Sequence, residues 1–173
     1  MAERRYHHGD LRRALLTAAR QTLEDNGVAA LSLRGLARTI GVAAPSVYNH
    51  FARFDALTLA LAEEGFAELG ATLEDAGDDL LAVGLAYIRF ARKNPGLYRL
   101  MFGEGRRDDS PEGATLRARR RAAFAPLQEK LGSREVAIRH WALVHGLAGL
   151  IIDGQVPLGP DPEASIREIL RQR

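Results

Sequence analysis

The segment GVAAPSVYNHF, Gly41 to Phe51, collects Pro, Ser, Tyr, Asn and His on one short stretch. Its spacing predicts a helix from near Ala44 on which Val47 and Phe51, four residues apart, face inward. Pro45, Ser46, Tyr48, Asn49 and His50 then look outward. Those side chains suit binding better than bond-making. Tyr and His can hydrogen-bond phosphate oxygens, Ser and Asn can read base edges, and Pro45 or Ala44 can touch a thymine methyl. The alternative is an ordinary solvated face on a small helical domain.

The surrounding chain supplies elements to hold that face. Helical periodicity runs almost throughout and no stretch alternates every second residue, so the expected fold is all-α. A first helix is expected from Asp10, as N-cap, with Leu11, Leu15, Ala18, Ala19 and Leu23 on one stripe and Asn26-Gly27 as its stop. Ser32 should cap a shorter helix, with Leu33, Leu36, Ala37 and Ile40 inward and Gly41 ending it. Two short helices joined by a glycine turn, behind a longer one, form a helix-turn-helix arrangement. A long helix from Asp55 to about Leu73 should join this head to the rest.

Charge favours the same end. Residues 1–53 carry eight Arg against four acids, whereas residues 54–173 hold sixteen basic and eighteen acidic groups. Positive charge at one end suits a polyanion, although a chance asymmetry would look the same. The chain has 173 residues, 46% hydrophobic and 27% charged, enough for one core with a small appended head. MAERRYHHGDLRR does not read as a secretory signal, and no unbroken apolar run approaches the roughly 18 residues of a membrane span. With no cysteine either, a cytoplasmic location is expected.

LSLRGLARTIGVAAPSVYNHF, with its upstream helix and Asn26-Gly27 end, resembles the DNA-binding domain of the TetR-type bacterial transcriptional repressors. The shared pattern is a Ser or Thr cap, Leu-Ala within the second helix, Gly-Val at the turn, and a Tyr-x-His-Phe ending. The resemblance implies a DNA-binding head over residues 9–57, with its motif at 32–51, and an effector-binding, dimerising helical domain over 58–173. It implies that Arg34 reaches a base edge, that Pro45, Ser46 and Tyr48 read or brush bases, and that Ser32, Asn49 and His50 hold the backbone. Two positions depart from the pattern. Ala43 stands where a Ser or Thr cap is common, and Phe54 replaces a frequent phosphate-binding Lys, whose contact Arg53 would take over.

Further along, NPGLYRLMF and RHWALVHGLAGL resemble the subgroup whose C-terminal domain has a Trp-His-Gly signature, here Trp141, His145 and Gly146. That implies a homodimer on a palindromic operator in double-stranded DNA, released by a small apolar effector. Tyr87, Phe90, Tyr98, Met101, Phe102, Trp141 and His145 are the candidate effector residues, with core packing as the alternative for each. The apolar run Leu143 to Ile152, with Gly146 and Gly149, suits a dimer interface. No cofactor or metal site is expected, because His140 and His145 are five apart and fall on different helix faces. No G-x-S-x-G or phosphate-cradling glycine loop points to an enzyme. The remaining alternative is a DNA-binding regulator without a small-molecule effector, controlled by a protein partner or acting as an activator. Arg4, Arg5, Tyr6 and His7 are expected as a basic arm with weak backbone contacts.

Overall fold

The computed structural model describes residues 8–103, 111 and 113–171, which are helical with no strand among them. The basic arm and Ser110 lie outside those residues. Helix α1 (His8–Asn26) starts two residues before Asp10, so Asp10 is not its cap. A 3-10 turn at Val28–Ala30 leads to α2 (Leu33–Ile40), whose N-cap Ser32 accepts a 3.0 Å bond from the Gly35 N–H. Gly41 closes α2 in the left-handed region (φ 72°), with the Val42 N–H bonded back to Ala37 O at 2.9 Å.

Helix α3 (Ala44–Tyr48) is barely more than one turn. Its inner side is set as the spacing requires, with Val47 fully buried and Phe51, just past its end, 2% exposed. The Phe51 N–H reaches Val47 O at 2.9 Å, and the Arg12 guanidinium of α1 lies 5.3 Å from the Phe51 ring centre. Ala43 at the N-cap makes no side-chain bond. Ala43→Ser should therefore stabilise the chain by about 1 kcal/mol, by offering an acceptor to the Ser46 N–H. Urea unfolding of the two proteins side by side checks this.

Helix α4 (Phe54–Asp75) runs from the head into the body as one piece and buries Leu57, Leu61, Phe66 and Leu69. One apolar cluster continues from Leu15, Leu36 and Val47 in the head to Ile88, Leu97 and Met101 in the body. In the body, α7 (Ala114–Leu131) packs along α4, and α5 (Leu80–Lys93) lies against α8 (Arg134–Ile152) and α9 (Pro162–Arg171). The short α6 (Pro95–Phe102) bridges α1 and α4.

Ser133 and Asp161 cap α8 and α9. Asp79, in the turn-like stretch Gly77-Asp78-Asp79, caps α5 through the N–H groups of Leu81 and Ala82. Helix α7 begins at Ala114 behind Gly113 and continues through Pro126. Helix α8 stands out for its composition. Over an 18-residue window its mean hydropathy is 1.3, long and apolar enough to cross a membrane, yet only 17% of the window is buried within the chain. A window average tolerates Arg139 and His140, which a search for an unbroken apolar run does not.

Candidate nucleic-acid interface and body cluster

The nine head residues singled out in the sequence fall on the start of α2, on α3, and on the turn into α4. Arg34, on the first turn of α2, is exposed, as are Ser32, Pro45, Asn49 and Arg53. Tyr48 is 42% exposed, high for so large an aromatic side chain. Ala44, Ser46 and His50 are half-buried. Ala44 also packs against the core, which makes it a spacer under the exposed face as much as part of it. The Ser32 hydroxyl is committed to the Gly35 N–H as acceptor, which leaves its proton free to be donated outward. The face thus offers a guanidinium, a phenol, an amide, a hydroxyl and an imidazole from two packed helices, with Arg53 at its edge.

The body gathers five of the seven candidate effector residues. Tyr87 of α5, Tyr98 and Phe102 of α6, and Trp141 and His145 of α8 pack ring against ring, with Phe102 and His145 4.7 Å apart at their centres. His145 Nδ1 lies 2.6 Å from the Tyr98 hydroxyl and 2.9 Å from that of Tyr87, while the Trp141 N–H reaches the Tyr87 oxygen at 3.3 Å. The hydroxyls of Tyr87 and Tyr98 and the His145 ring nitrogen thus form one hydrogen-bonded group, in which each hydroxyl is both a donor and an acceptor. Burial pushes the Tyr87 phenol up to about 12 and raises Tyr98 further, so both stay protonated.

Phe90 and Met101 stand apart from this group. Met101 is fully buried, and its sulfur fills the space where a side chain on Gly65 of α4 would begin. Phe90 is buried core as well. Phe124 of α7, passed over in the sequence, does join the cluster, its ring 5.7 Å from Trp141. Being the one aromatic residue on α7 was the available signal. A cavity of about 330 Å³ lies elsewhere, between the end of α4, α5 and α9. Asp75, Asp79, Arg89 and Arg167 line it beside Leu85 and Ala86, and none of the seven candidates does.

Comparison with known proteins bears on both halves. The profile described as bacterial regulatory proteins, tetR family, matches residues 15–61, and that of the tetracyclin repressor-like C-terminal domain matches residues 80–172. The chain belongs to the TetR family. The HTH-type transcriptional regulator Mb1846 of Mycobacterium bovis is 28% identical over 112 residues, 60% of this chain and 48% of that protein. The nucleoid occlusion factor SlmA of Aliivibrio fischeri is 34% identical over 97 residues, 51% of this chain and 50% of that one. This TetR-family chain thus spans about half the length of the curated relatives it matches. A solved structure from Rhodococcus sp. RHA1, described as a protein with unknown function, superposes with a TM-score of 0.82 at 31% identity, covering 97% of this chain and 95% of that one.

In this TetR-family body His145 also sets a pH dependence. Burial holds its pKa below the ordinary 6.5, so the folded state binds its proton less readily than the unfolded state does. The stability this confers is complete above pH 6.5 and is lost as pH falls through the lowered folded value. Wild type should therefore lose more melting temperature between pH 7 and pH 5 than His145→Phe, whose other titrating groups are the same. Parallel slopes for the two proteins would count against that assignment.

Proposed function

We propose that this protein is a sequence-specific DNA-binding transcriptional regulator, most readily a repressor that binds a palindromic operator as a homodimer. The observation that carries this reading is the exposed face of Arg34, Pro45, Tyr48, Asn49 and Arg53, with Ser46 half-buried among them, on a two-helix unit whose inner side is fully packed. Ser32, Ala44 and His50 complete it, with Ser32, Asn49, His50 and Arg53 at the backbone and Arg34, Pro45, Ser46 and Tyr48 at the bases. The names of the regulatory relatives support it. We take residues 9–57 as the head and 58–173 as the dimerising body, acting in the cytoplasm, with no catalytic role.

The second copy would sit on α8. Leu143 and Leu150 are 46% and 47% exposed, Val136 precedes them by one and two heptads, and Gly146 lies between them. An added Cβ at Gly146 or Gly149 would meet nothing within 4 Å, so a second helix has room to approach closely. Such a dimer would hold two recognition helices about 34 Å apart, one turn of DNA.

A small apolar effector is proposed for the cluster of Tyr87, Tyr98, Phe102, Trp141 and His145, with Phe90 and Met101 behind it. The half-exposure of Phe102, Trp141 and His145 supports that placement. Trp141, His145 and Gly146 on α8 likewise support membership of the Trp-His-Gly subgroup. A second reading, a DNA-binding regulator with no small-molecule effector that is controlled by a protein partner or acts as an activator, is favoured by the cavity of about 330 Å³, whose lining includes none of the seven candidate effector residues. A thermal-shift screen of apolar metabolites separates the two, since a ligand that prefers the native state raises its melting point.

The deciding experiment is selection from a random duplex pool, with the complex sized afterwards. An enriched palindrome bound by two copies supports the regulator reading. Absence of enrichment at low salt, with helicity intact, overturns it.

A further inference from the structure

The sequence marks Asn94-Pro95 as a self-capped helix start, yet the Asn94 side chain does not cap α6. Its Nδ2 donates to Phe90 O at 3.0 Å, and its Oδ1 accepts from Arg20 of α1 at 2.9 Å. The free N–H groups at the start of α6 are taken by Glu24, from α1 in the head. Glu24 Oε2 accepts from Gly96 N at 2.7 Å and Oε1 from Leu97 N at 3.0 Å. A carboxylate spanning two N–H groups at the positive end of a helix is a charge-assisted pair, and at 20% exposure water does little to weaken it.

Two further contacts support that junction. Arg20, one turn before Glu24, lies 3.3 Å from its carboxylate and 3.1 Å from that of Glu68 on α4, so a single guanidinium joins α1, α4 and the start of α6. The backbones also meet closely: a Cβ on Gly96 would stand 2.5 Å from Leu23 O. Only glycine allows α6 to seat there.

We infer that Glu24 is a positioning residue for DNA recognition: its carboxylate, clasping the N-terminus of α6, sets how the head sits on the body. It touches no DNA. Its effect would be on where each recognition helix is held, and hence on the spacing two heads accept. That last consequence rests on the regulator reading; the intramolecular one does not.

The test uses the absence of native cysteine. Spin labels on Thr39→Cys in α2 and Glu74→Cys in α4, diluted into unlabelled protein, report the head-to-body distance within one chain. Adding Glu24→Ala should shift and broaden that distribution while far-UV helicity is retained, and Glu24→Gln, which keeps one acceptor oxygen, should fall between. If Glu24→Ala does not fold, Gly96→Ala probes the same junction from the body side. A distribution that coincides with the parent's overturns the inference. In the duplex pool, Glu24→Ala should enrich the parent's half-site across a wider range of spacings, with operator affinity about tenfold weaker. An unchanged spacing preference overturns the inference while leaving the regulator reading intact. If the parent enriches nothing, the regulator reading falls and the distance measurement still decides the role of Glu24.

Discussion

Phe51→Ala should cost about 3–5 kcal/mol, the range for emptying a buried aromatic site. Phe51 is 2% exposed and closes the head core beside the fully buried Val47. Arg12 of α1 covers its other side. Helix α3 has five residues and no side-chain cap, so it has little stability of its own and depends on this anchor. Loss of Phe51 should thus release the recognition face before the body. The single Trp, Trp141, sits in the body and gives a local signal there. Far-UV circular dichroism should show an early transition that Trp141 emission does not follow, and Phe51→Leu should largely remove the gap. Coincident transitions in Phe51→Ala would mean that head and body unfold as one unit.

Arg34→Ala and Tyr48→Ala should each weaken binding to the selected operator by about 1–3 kcal/mol without changing helicity, because both side chains are exposed. Their signatures should differ. Arg34→Ala should relax preference at one base pair, since a guanidinium that bridges two acceptors of guanine carries sequence information. Tyr48→Phe isolates the hydroxyl; if that group holds a phosphate, binding should weaken alike on all sequences. Arg53→Ala, which removes a cation, should lower the salt slope by about 0.9. Competition titrations at several salt concentrations measure all three. Losses that are equal on operator and random DNA for Arg34→Ala would remove it from the base-reading set.

What the sequence made legible was local. Ser32 and Gly41 were readable because a cap acts on N–H or C=O groups within four residues, so residue type and short spacing suffice. Val47 and Phe51 were readable because the helical period alone puts them on one side. The start of α6 was not, because Asn94 has the right type in the right place while the acceptor comes from Glu24, 72 residues upstream of Gly96. Asp79 was passed over because Gly77-Asp78-Asp79 has the composition of a turn, and only the helix that follows gives its carboxylate a task. The body cluster was half legible. Aromatic or soft side-chain type suggested Tyr87, Tyr98, Phe102, Trp141 and His145 together with Phe90 and Met101, but type does not say which of them face one another, and Phe124 enters only through the packing of α7 on α8.

Helix α4 has 22 residues, a rod of about 33 Å with the head's floor at one end and the body's α5 boundary at the other. Its interior contains no proline, and no 3-10 segment or other break interrupts it. A rod that does not bend works as a lever. Tilted by about 5° at the body end, it displaces the far end by roughly 3 Å, close to the ~3.4 Å that one DNA strand rises along the helix axis from one phosphate to the next. Small repacking among body side chains, too slight to alter any helix, is thus enough at the head to carry a phosphate contact from one nucleotide toward the next.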